Sequence, residues 1–150
     1  MVEDVARAKI DIGRTGGDVD LVLDAVPRSV SVARHAVRAA LAPTAAPAEV
    51  TEDVLLLVSE LVTNAILHAG TDVRVAATVA PGRVLVAVSD DDPEHAPHRP
   101  DRGQMATSGR GIGLVDLLAS DWGVEVGPRS KVVWFEAAYR PDQIDLRTLG

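Results

Sequence analysis

The stretch from Glu52 to Ala69 constrains this chain more than any other. Val54, Leu55, Val58, Leu61, Val62, Ala65, Ile66 and Ala69 leave little of a helical circumference polar, so such a helix must lie against a sheet rather than on the surface of one. The exception is a single stripe. Glu60, Thr63, Asn64 and Leu67 stack along it because residues three and four apart share a helix face. A carboxylate and an amide beside that much apolar surface are costly unless each has a partner.

The flanking pattern supplies the sheet. Asp20–Ala25 reads as a short strand ended by Pro27, and Arg28–Leu41 as an amphipathic helix with Val30, Ala33, Val37 and Leu41 on one face. Pro43 to Pro47 breaks the pattern. Thr51 is then a fitting N-cap for a helix over about 48–69, with Glu52 and Asp53 at the positive end of its dipole and Gly70 as its stop. Residues 72–80 and 83–90 alternate around Pro81-Gly82 as a hairpin. Residues 91–110 form a long polar, proline-rich loop, and a loop of that length inside a compact domain favours a lid over a ligand. Ile112–Ala119 follows as a helix, then 122–126 and 131–138 as strands around Gly127-Pro128-Arg129-Ser130. At 150 residues and 47% hydrophobic, one well-buried core fits and two ordinary domains do not. The expected layout is a flexible arm over 1–18, one domain over 19–140 and a tail over 141–150.

Charge and composition exclude several classes. A net charge of −7 argues against direct nucleic-acid binding, which rests on a concentrated basic surface. No apolar run approaches the roughly 20 residues of a membrane span, and the acidic start is unlike a secretory leader, so a cytoplasmic protein with no membrane partner is expected. The absence of Cys removes disulfides, thiolate metal sites and cysteine nucleophiles. No Gly-x-Ser-x-Gly elbow is present to support a serine hydrolase.

The chemistry-bearing residues arrive in one order. Magnesium bound to phosphate takes hard oxygen ligands and needs only one or two from protein, which Asn64 can supply. Glu60, a turn earlier, is placed to take a proton from a hydroxyl or water attacking a terminal phosphate. Alone, Glu-x-x-x-Asn is more often a solvated helix edge. Asp90 closes a strand where its carboxylate can accept from an exocyclic amine, although an Asp there is commonly a turn former. Gly109-Arg110-Gly111-Ile112-Gly113 opens a helix, letting backbone N–H groups approach an anion; a lone Gly-x-Gly-x-Gly is as often a hinge. It is neither a Walker A loop nor a good dinucleotide fingerprint. His95 and His98 lack a third ligand at fixed spacing and read as solvated, and His68 as structural in a last helical turn. Together the set reads as a nucleotide site.

Those motifs resemble a known family. Ser59-Glu60-Leu61-Val62-Thr63-Asn64-Ala65 with His68-Ala69, Val88-Ser89-Asp90, Gly109 to Val115, and Lys131-Val132-Val133-Trp134-Phe135 are similar to the GHKL, or Bergerat-fold, ATP-binding proteins. Within them, the chain resembles the small bacterial anti-sigma regulatory kinases related to histidine-kinase ATPase domains. The resemblance, over roughly 20–138, implies an α/β two-layer sandwich whose mixed, largely antiparallel sheet is covered on one face by helices. It implies ATP and Mg²⁺ as cofactors, Asn64 on the metal, Glu60 as catalytic base and Asp90 on adenine. Gly109, Arg110, Gly111, Ile112, Gly113 and Lys131 then complete the nucleotide site. It implies phosphorylation of a serine on an anti-anti-sigma protein of STAS type, sequestration of a sigma factor, and a homodimer formed through the apolar face of 28–41 or the strand at 20–25.

Three departures accompany the match. Asp90-Asp91-Asp92-Pro93 replaces the usual Asp-x-Gly-x-Gly, Arg129-Ser130 replaces a common Gly-Gly, and Val132 is read at the position of a threonine that supports the adenine contact. A non-catalytic ATP-binding or partner-binding module is therefore the competing reading. A detached histidine-kinase catalytic domain lacks a helical hairpin to carry the phosphorylated His before residue 47, and a nicotinamide oxidoreductase lacks a βαβ start.

Overall fold

The computed structural model describes residues 18–69, 71–95 and 110–140. The arm, the tail, Gly70, His98, Gly109 and most of the expected lid lie outside the described residues. In chain order the elements are β1 (Val19–Leu23), α1 (Arg28–Leu41), a 3₁₀ turn (Ala42–Thr44), α2 (Ala48–Ala69), β2 (Val73–Ala80) and β3 (Arg83–Asp90). A second 3₁₀ turn (Pro93–His95), α3 (Arg110–Leu118), β4 (Asp121–Val126) and β5 (Lys131–Ala138) follow. The five strands form one sheet in the order β1-β2-β3-β5-β4, with every pairing antiparallel. It is the α/β sandwich expected from the resemblance.

Strand parity sorts the sheet into two faces. Val84, Val86, Val88, Val133, Phe135 and Ala137 share a core with Val54, Leu57, Val58, Leu61 and Val62 of α2 and with Ala33, Val37 and Leu41 of α1. The intervening residues point the other way. Leu85, Ala87 and Trp134 form a separate buried cluster with Val132 against it. Trp134 lies flat over Gly123, where an added Cβ would meet the indole at 2.8 Å. The small residue on β4 is thus what lets the aromatic ring settle on the sheet.

Turn chemistry fixes the register. Ala80 opposes Arg83, leaving Pro81-Gly82 as a two-residue connection in which Gly82 takes φ 88°. Pro fits the preceding position and only glycine takes that φ cheaply, so the hairpin cannot slip without losing both preferences. One expectation needs correcting at α2. The helix begins at Ala48, and the Thr51 N–H already donates to Pro47 O at 3.1 Å, so Thr51 lies inside the first turn and does not cap it. Pro47 cannot donate an N–H and marks the start instead.

Candidate functional site at one end of the sheet

The register brings the predicted residues to one end of the molecule. Leu23 opposes Val73, Arg74 opposes Ser89 and Asp90 opposes Lys131, so the end of β3 and the starts of β2 and β5 coincide. Helix α2 runs into β2 within a few residues, which sets its C-terminal half, with Glu60, Asn64 and His68, at that same end. Helix α3 leads to Asp121, which opposes Glu136 near the far end. Its N-terminal turn, starting at Arg110, therefore returns to the Asp90 end. Helices α2 and α3 pack together, and Gly113 is buried in that first part of α3.

On α2 the polar stripe is present. Glu60, Thr63 and Asn64 are half-buried, while Leu67 is 71% exposed. The Ser59 hydroxyl is satisfied by its own helix, donating to Leu55 O at 2.8 Å. Among the described residues, no hydrogen bond engages the side chains of Glu60 or Asn64. A carboxylate and an amide oxygen left open on a half-buried stripe fit a hydrated magnesium–phosphate group, which supplies waters and phosphate oxygens for its other ligands. No cluster of three or more His, Asp or Glu side chains able to hold a metal by themselves exists among the described residues.

At the sheet the site takes an unforeseen form. Asp90 and Lys131 face each other on the helix-covered side, with side chains 3% and 5% exposed, and the Lys131 ammonium donates to Asp90 Oδ1 at 2.9 Å. The same ammonium donates to Asp92 O at 2.6 Å, and the Asp92 N–H donates to Asp90 Oδ1 at 2.8 Å. Lysine thus ties down the turn that lacks the glycines expected after Asp90. Val132 is placed differently from the sequence reading. It opposes Ser89 and packs with Trp134 on the other face, so the residue that reaches the carboxylate is Lys131. Strand alternation alone could have shown that adjacent residues 131 and 132 cannot both face Asp90; knowing which one does required the β3–β5 register.

A concave feature lies elsewhere. A hollow of about 380 Å³ is lined by Pro27 and by Val30, Ser31, Arg34, His35 and Arg38 of α1, and none of the described candidate site residues borders it. Helix α1 carries no acidic residue.

Comparison with known proteins now bears on this geometry. Residues 23–137 match the model of the histidine kinase-like ATPase domain. The chain belongs to that family. An uncharacterized protein of Streptomyces coelicolor is 39% identical over 94 residues, covering 60% of this chain and 90% of the relative. Among solved structures, the SiaB–SiaC complex from Pseudomonas aeruginosa aligns with a TM-score of 0.65 at 16% identity, over 92% of this chain and 98% of that one. The RsbU and RsbW domains of a Mycobacterium tuberculosis protein align with a TM-score of 0.60 at 23% identity, over 80% of this chain but 32% of the mycobacterial one. At these identities the two structures speak for the fold. The GHKL-type architecture is therefore supported by both family membership and topology.

Proposed function

We propose that this protein binds Mg-ATP and acts as a partner-switching anti-sigma regulator that phosphorylates a serine on an anti-anti-sigma protein of STAS type and sequesters a sigma factor. The observation that carries the nucleotide part is the convergence of an unspent Glu60 and Asn64 with Asp90, Lys131 and the first turn of α3 at one end of the sheet. The similarity to the mycobacterial and pseudomonad structures supports the regulatory part.

In this reading Asn64 presents its amide oxygen to the magnesium ion, which neutralises phosphate charge when bound. Glu60 accepts the proton of the attacking serine hydroxyl, whose oxygen then bonds to the terminal phosphorus as the bond to the ADP oxygen breaks. The N-terminal N–H groups of α3 face the phosphates, where the helix dipole favours negative charge. Asp90 and Lys131 meet the base.

The test is calorimetric titration of ATP with magnesium into the wild type and into Asn64→Ala. Magnesium-dependent binding is expected in the wild type, weaker by about tenfold or more in the variant, since the loss of one charge-assisted ligand contact costs on the order of 1.5–3 kcal/mol. Unchanged binding in Asn64→Ala would remove Asn64 from the site. A second reading, a partner-binding module without catalysis, is favoured by one observation: the carboxylate expected to await the base is already engaged by Lys131. ATP binding without phosphate transfer to any STAS-type partner would favour it.

A further inference from the structure

Asp90 and Lys131 carry an inference about which base the site accepts; it rests on the nucleotide reading above. An isolated carboxylate at the end of a purine pocket can only accept hydrogen bonds, so it takes a 6-amino group and repels a 6-oxo group. Here the carboxylate is not isolated. Among the described residues its two bonds, from Lys131 Nζ at 2.9 Å and from the Asp92 N–H at 2.8 Å, both fall on Oδ1. Asp90 Oδ2 receives neither. The Lys131 ammonium has three N–H donors, two of them directed at Asp90 Oδ1 and Asp92 O. The end of β3 and the start of β5 therefore present an acceptor and a charged donor side by side, in a buried setting where each is costly to leave unmatched.

We propose that Lys131 opens the nucleotide site to 6-oxopurine nucleotides. Guanine and hypoxanthine offer the complementary edge: O6 accepts from the Lys131 ammonium while N1–H donates to Asp90 Oδ2. Adenine also fits, through its 6-amino group on Oδ2. What the lysine removes is the exclusion of the oxo base, because the repulsion between O6 and a bare carboxylate becomes an attraction to a cation. Lys131 is thus a specificity-determining residue, and its second bond, to Asp92 O, holds it in place for that role.

The test is binding, read by calorimetry, of ATP, GTP and ITP, each with magnesium, to the wild type and to Lys131→Thr, with thermal melts to establish that the variant is folded. ITP lacks the 2-amino group and isolates the contribution of O6 and N1. In the wild type, GTP and ITP should both bind within about tenfold of ATP. Lys131→Thr should weaken GTP and ITP by about tenfold or more relative to ATP, because a donor to O6 has gone and a bare carboxylate has appeared. Wild-type binding of ATP with GTP and ITP weaker by about a hundredfold or more would overturn the proposal, and this arm needs no variant. Equal weakening of all three in a folded Lys131→Thr would also overturn it, leaving the lysine as a brace for the turn. Absence of binding by all three would instead remove the nucleotide reading on which it rests.

Discussion

Two of the ion pairs that cross neighbouring strands of this sheet, Arg74–Asp20 and Lys131–Asp90, are made different objects by their surroundings. At the β1 edge, Arg74 holds Asp20 in a two-pronged contact, Nε to Oδ1 at 3.0 Å and Nη2 to Oδ2 at 2.9 Å, with side chains 37% and 40% exposed. Between β3 and β5, Lys131 meets Asp90 through one oxygen with both side chains at or below 5% exposure. The Arg–Asp pair has the better geometry. Water nevertheless screens it and solvates each member when they part, so exposed pairs contribute only about 0.2–1 kcal/mol. The Lys–Asp pair has lost its water, and neither charge has an inexpensive alternative. Hydrogen-bond geometry ranks the two one way and burial ranks them the other; burial decides what happens when a partner is removed.

Three measurements test this contrast. The largest effect is expected for Lys131→Met, which strands the Asp90 carboxylate and should cost about 3–5 kcal/mol in denaturant unfolding. A loss under about 1 kcal/mol would mean that water reaches the pair and that the two ion pairs are alike. Arg74→Met should cost about 0.2–1 kcal/mol, and the cost should shrink further in 1 M salt, whereas the Lys131→Met loss should barely respond. Equal salt sensitivity in the two variants would erase the distinction.

The smallest effect concerns a carboxylate shifted by burial and by like charges. Burial, followed by the like charges of Glu49 and Glu52, raises the Asp53 pKa above its ordinary value of 3.8. A folded-state pKa above the unfolded one means that ionised Asp53 opposes folding at neutral pH, and that this opposition fades as pH falls through the raised value toward 3.8. Asp53→Asn should therefore melt slightly above the wild type at pH 7, with the gap closing in acid. A gap that stays constant through that range would show the charge of Asp53 to be irrelevant.

Much of this architecture was legible in the residues, because it follows from local periodicity. Helix α1, the span of α2 and the hairpin around Pro81-Gly82 come directly from apolar spacing and turn chemistry. The polar stripe of Glu60 and Asn64 stood out because the rest of α2 is so apolar. Thr51 misled because Pro47, four residues earlier, also starts a helix and does so here. The buried ion pair was hidden for a different reason. Asp90 and Lys131 lie 41 positions apart, and nothing in either segment alone says that β3 and β5 are neighbours with β4 outside them. Once that register is known, parity puts Val132 on the face away from Asp90 and leaves Lys131 as the residue opposite it.

The Asp90–Lys131 pair also shapes how a sequence of this kind can change over time. Replacing either member alone leaves its partner charged, dry and unmatched, a loss comparable with much of the roughly 5–15 kcal/mol that holds an ordinary domain folded. Exchanging both at once for neutral residues carries no such penalty. Single substitutions at either position should therefore be purged before the second can arrive, so the pair is inherited as a unit, and descendants that have abandoned it will have had to cross by way of a stabilised background or a double change.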